Sequence, residues 1–82
     1  MHLGKRSFLS CMDVIEYMQR QGFEKSSIAS KAMLMKIISL KIASVQATKE
    51  RYFDLLQEFE LIIKKGDDEY EINFKRYYEL QL

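Results

Sequence analysis

The 82-residue chain has one cysteine, one histidine and three glycines, and each scarcity removes a class of chemistry. A lone Cys11 excludes an intrachain disulfide and any cysteine-rich zinc site. With His2 as the single imidazole, at the very start of the chain, Cys11 reads as a small core residue rather than an activated nucleophile. Three glycines leave no glycine-rich loop to cradle a phosphate, so neither catalysis nor a bound cofactor is expected. No apolar run approaches the ~20 residues needed to span a bilayer. Residues 1–10 also lack the long apolar stretch of a secretory signal, so the expected location is cytoplasmic, away from membranes.

What is present suits one small folded domain covering residues 1–82. Apolar residues make up 48% of the chain, which argues against global disorder. The net charge of +1 hides a division along the sequence. Residues 1–49 hold eight Lys/Arg against three Asp/Glu, a balance of +5, and residues 50–82 hold five against nine, a balance of −4. Such polarity suits a protein that sets a basic face on phosphate, although it also describes an ordinary solvated surface.

From Phe8 to Gln21, apolar residues recur at helical spacing through Phe8, Met12, Ile15 and Met18, flanked by Leu9, Cys11 and Val14. Ser7 is placed to cap this first helix and Gly22 to end it. A second helix is expected over Ile28 to Leu40, capped by Ser26 or Ser27. Its apolar residues cover more than one stripe. Either this helix is enclosed, or broken near Leu34, or its surplus surface between Met33 and Ile42 pairs with a second subunit.

A short passage through Ser39–Ser44 leads to a third helix over Ser44 to Glu60, with Ser44 as the expected N-cap. Val45, Tyr52, Leu55, Leu56 and Phe59 can face inward. Gln46, Lys49, Glu50, Arg51, Asp54 and Gln57 are left outward or at the margins. Leu61 to Lys65, a Gly66-Asp67 turn and Asp68 to Phe74 then read as a hairpin, because Tyr70, Ile72 and Phe74 alternate with Glu69, Glu71 and Asn73. The hairpin tip mixes Lys64 and Lys65 with Asp67, Asp68 and Glu69.

A polar-faced helix followed directly by such a hairpin is the order in which a winged helix-turn-helix meets DNA. The runs Ile38-Ser39-Leu40-Lys41-Ile42-Ala43-Ser44-Val45-Gln46-Ala47-Thr48 and Leu55-Leu56-Gln57-Glu58-Phe59-Glu60-Leu61-Ile62 resemble the turn, recognition helix and helix-to-wing junction of bacterial winged-helix regulators. The likeness spans roughly residues 26–78. Within that superfamily the chain is most similar to plasmid and phage partition adaptors of the TubR type. It departs from them in a longer third helix and in Glu60, which stands where glycine is usual.

The fold expected is α+β, a winged helix-turn-helix of three helices plus a C-terminal β-hairpin wing. The resemblance implies a homodimer that binds repeated centromere sites on double-stranded DNA and delivers them to a tubulin-like GTPase. Transcriptional repression shares the fold, and a winged helix that binds only proteins is the third reading. Under the DNA-binding readings, Ser44, Gln46, Ala47, Thr48, Lys49 and Arg51 form the groove-facing set. Arg or Lys can reach guanine edges and Gln46 an adenine. Lys64 and Lys65 hold the wing to the backbone, Lys41 and Lys36 are further phosphate contacts, and Lys5 and Arg6 form a loose basic arm.

Overall fold

A computed structural model describes residues 5–81, and for Lys5 the backbone alone; His2 lies outside the described residues. In chain order the elements are α1 (Lys5–Arg20), β1 (Ile28–Ala29), α2 (Lys31–Lys41), α3 (Gln46–Glu58), β2 (Ile62–Gly66), β3 (Glu69–Ile72) and α4 (Phe74–Leu80). The architecture is therefore α+β, with four helices among the described residues where three were expected and a three-stranded antiparallel sheet where a two-stranded hairpin was expected.

Helix α1 starts upstream of Ser7, which sits inside the helix and does not cap it. Lys5 and Arg6 are good helix formers, so nothing local stops the first turn there. The buried stripe is Cys11, Val14, Ile15 and Met18, all fully inaccessible. Leu9, by contrast, is 50% exposed. The helix stops where expected. Gly22 takes φ +88, and Phe23 N–H reaches back to Met18 O at 3.1 Å.

The expected start of the second helix is a strand instead. Ile28 and Ala29 pair with Glu71 and Tyr70 of β3, and Ser27 O accepts from Ile72 N–H, so the backbone here is committed to the sheet. The cap is Ser30, whose Oγ accepts from Met33 N–H at 3.1 Å. Helix α2 then buries Leu34, Ile37 and Ile38 and runs unbroken past Leu34. It is not enclosed, because Met33 and Leu40 stay 42% and 63% exposed.

Helix α3 begins one residue later than a Ser44 cap implies, with Val45 at the N-cap position. Val45 is 63% exposed and not inward, while Phe53, absent from the expected inward set, is buried edge-on to Tyr70 with ring centroids 5.1 Å apart. Leu55 and Leu56 are buried as expected. The helix closes at Phe59. Glu60 turns the chain at φ +63, with Leu61 N–H bonded to Leu56 O at 2.9 Å, so the residue standing in place of the usual glycine adopts the left-handed backbone that favours glycine.

In the hairpin, Ile62 pairs with Ile72, Ile63 with Glu71 and Lys64 with Tyr70, and the register then shifts so that Gly66 faces Glu69. That irregularity moves the turn to Asp67-Asp68. Asp68, not Gly66, carries the positive φ, 55°, a conformation that Asp tolerates better than most residues. The final strand is shorter than expected because Asn73 Oδ1 accepts from Arg76 N–H at 3.1 Å and starts α4. Tyr77 of α4 is buried with α1 and closes the core. Strand order is β1-β3-β2, and Tyr70 and Ile72 on β3 face the helices. Leu56 sits in this core with no exposure, so truncating it to alanine would cost about 2–5 kcal/mol.

Candidate nucleic-acid interface

The start of α3 is an accessible polar helix end. Ser44, Gln46, Ala47 and Arg51 are exposed, and Thr48 and Lys49 are half-buried. Val45 offers no hydroxyl or carboxylate, so no side chain caps the helix. The first amide closed onto the chain across a full helical turn is Lys49 N–H, bonded to Val45 O at 2.9 Å. The amides of Gln46, Ala47 and Thr48 therefore point forward, together with the positive end of a 13-residue helix dipole.

The side chains around this end are partly engaged. Gln46 donates to Glu50 Oε2 at 2.9 Å, and the other oxygen of Glu50 lies 3.4 Å from Lys31 Nζ. Arg51 lines a shallow groove with Ala47, Glu50, Asp54, Leu55 and Glu58. Along α3, Lys49 and Arg51 are outnumbered by Glu50, Asp54 and Glu58. Favourable potential for an anion is thus greatest at the first turn, ahead of Glu50, and beyond Arg51 the outward face is acidic.

The hairpin tip is linked to the second turn of α3 through Lys31, whereas Lys64 lines a groove with Gln57 and Glu60 near the other end of that helix. Asp68 Oδ1 accepts from Lys31 N–H at 2.8 Å, so the tip is tied back to the first turn of α2. Lys64 and Lys65 are both exposed, and Lys65 Nζ stands 3.3 Å from Glu71 Oε1. A surface pair of this kind contributes about 0–1 kcal/mol and yields readily to a phosphate.

The ten sequence-predicted residues do not form one surface. Lys36 and Lys41 turn toward α1: Lys36 lines a groove with Tyr17 and Phe23, and Lys41 Nζ is 5.6 Å from the centroid of the Tyr17 ring. Of the expected basic arm, Arg6 is exposed within the first turn of α1, and the Lys5 side chain lies outside the described residues.

Sequence reasoning missed Lys31. Its ammonium sits 5.0 Å from the Phe53 ring centroid and beside Glu50, between the start of α3 and the hairpin tip. Reading Ser30 as the cap would have exposed it, because the residue after a cap lies at the open end of the helix.

No protein-family model, curated protein or solved structure matches this chain. Function therefore rests on the geometry. Cys11 is fully buried, and desolvation pushes its thiol from the ordinary 9.0 up to about 12. It is held as the unreactive thiol, as a core residue would be. Among the described residues, no helix is long and apolar enough to cross a membrane.

Proposed function

We propose that this chain is a winged helix-turn-helix protein that binds double-stranded DNA as a homodimer, without catalysis, in DNA partition or transcriptional repression. The observation that carries the reading is the exposed, uncapped start of α3, directly after α2 and linked through Lys31 to a hairpin bearing two exposed lysines. The element order α1-β1-α2-α3-β2-β3 and the sheet order β1-β3-β2 support it, being the arrangement a winged helix requires. Helix α4 is an addition to that plan.

In this reading a phosphate oxygen accepts from the forward amides of α3 and from the Ser44 hydroxyl. Arg51 reaches a guanine edge, Gln46 an adenine, and Lys49 a flanking phosphate. Ala47 and Thr48 let the backbone approach closely. Because Asp54 and Glu58 would face phosphates if α3 lay along the groove, the helix enters by its first two turns, where Gln46 and Lys31 engage Glu50, and points its acidic end away. Lys64 and Lys65 then meet the backbone on one side and Lys31 on another. The exposed Leu9 with Phe8, Met12 and Leu80, in the groove between α1 and α4, supplies apolar surface for two-fold pairing. If the DNA is a centromere repeat, the partner that receives it is a tubulin-like GTPase.

The acidic half of α3 favours a second reading, a winged helix that binds only protein. Salt dependence separates the two. Titrating labelled duplexes from the flanking DNA by anisotropy should give an affinity that falls steeply with salt. Replacing Lys64 and Lys65 by alanine should weaken all duplexes alike and flatten the slope by up to ~2 per subunit. A slope that does not change removes the hairpin from the interface, and no duplex binding at low salt removes DNA altogether.

A further inference from the structure

Helices α1 and α2 and the turn after α1 enclose a groove of about 250 Å³, lined chiefly by Tyr17, Phe23, Met33, Lys36, Ile37 and Leu40. We propose that this groove docks an amphipathic helix of a protein partner whose polar flanks carry carboxylates. None of its lining residues comes from α3 or the hairpin, so the partner and the DNA proposed above do not compete for the same side chains.

The apolar part of the surface has helical dimensions. Met33 and Leu40 are both exposed and stand seven residues apart on α2, two turns or about 10 Å, with Phe23 and the Tyr17 ring across from them. A facing helix with apolar residues at i, i+3 and i+7 would cover that length. Met33 can adapt its shape to such a partner.

Charge decides the occupant. Lys36 lies in the wall, Lys41 is held over Tyr17, and no carboxylate lines the groove. Neither lysine has an ion-pair partner among the described residues. A second copy of this chain placed on the same face by a two-fold axis would bring four ammonium groups around a shared groove with no carboxylate in its lining. Glutamates or aspartates flanking an apolar stripe answer both lysines at once.

The probe is a synthetic, side-chain-cross-linked helical peptide of about three turns, with leucines at i, i+3 and i+7 and glutamates beside them. It is titrated by anisotropy into the whole protein. A peptide with the same leucines and lysines for glutamates should bind at least about tenfold more weakly. Lys36→Glu with Lys41→Glu should reverse that preference, and Leu40→Glu, at an exposed position that leaves folding intact by circular dichroism, should remove binding of both. Equal binding of the two peptides, or binding indifferent to Leu40→Glu, overturns the proposal. So does a light-scattering dimer that Leu40→Glu converts to monomer, which makes the groove a self-interface. Leu40-dependent binding to phosphatidylserine vesicles without peptide binding overturns it in favour of a lipid surface.

Discussion

Helices α2 and α3 are successive in the chain and similar in length, yet their first turns are treated in opposite ways. The start of α2 is closed twice, by Ser30 Oγ on Met33 N–H and by Asp68 Oδ1 on Lys31 N–H from across the sheet. The start of α3 is closed by no side chain and stands in solvent. An absent cap forgoes about 1 kcal/mol of stability. A capped end belongs to the fold. An open end at the same cost is available to an anion, and the separation sorts the polar residues here into those that hold the hairpin to α2 and those free to meet a ligand.

The largest expected effect tests the open end. Replacing Arg51, Lys49 or Gln46 singly by alanine should leave stability within about ±0.5 kcal/mol, since none is buried. Loss of a bidentate base contact should instead cost about 1–3 kcal/mol of specific DNA binding and relax preference at one base pair. Arg51 should lie at the upper end of that range and Gln46 at the lower, because Glu50 already occupies the Gln46 amide nitrogen. Competition between a cognate and a scrambled duplex at fixed salt measures it. Three folded variants that all keep wild-type discrimination would transfer the function to the protein-binding reading.

The closed end should respond in the opposite currency. Ser30→Ala should lower the free energy of unfolding in urea by about 1 kcal/mol and leave DNA affinity unchanged once the folded fraction is corrected. Ser44→Ala, two residues before α3, should do nothing to stability, because the Ser44 hydroxyl does not cap the helix. A loss of stability from Ser44→Ala equal to that from Ser30→Ala would erase the distinction between the two helix starts.

That distinction was only half legible in the sequence. Periodicity located α1, whose buried stripe runs at three- and four-residue spacing, the lack of Gly and Pro from Ile28 to Leu40 pointed to α2, and strict alternation located β3 through Tyr70 and Ile72. Boundaries set by tertiary pairing were not legible. Ile28 and Ala29 continue the apolar run of α2, and only β3, about forty residues away, draws them into a strand. Asn73 reads as the polar member of an alternating strand until its side chain is seen to cap α4. The candidate site suffered in the same way. Lys36 and Lys41 sit near the turn in sequence but are drawn to α1 by Tyr17, and Lys31 is hidden while Ser26 or Ser27 reads as the cap in place of Ser30. Sequence neighbours the turn, whereas packing decides which face a long side chain takes.

The smallest effect is the sharpest, because it has opposite signs in two measurements. Val45 already has the extended backbone of a cap residue, φ −70 and ψ 128, and at 63% exposure it contributes little burial. Val45→Asp would supply an oxygen to the forward amides of α3 and a negative charge to the positive end of its dipole. Stability should rise by about 0.5–1 kcal/mol. The same carboxylate would occupy the position proposed for a DNA phosphate, so duplex affinity should fall about fivefold, or roughly 1 kcal/mol, and more steeply at low salt. Val45→Ser separates the contributions, adding the acceptor without the charge, and should stabilise comparably while weakening DNA less. A Val45→Asp protein that is more stable and binds duplex as tightly as the original would mean that the start of α3 is open to water alone, and the amides there would carry no part of recognition.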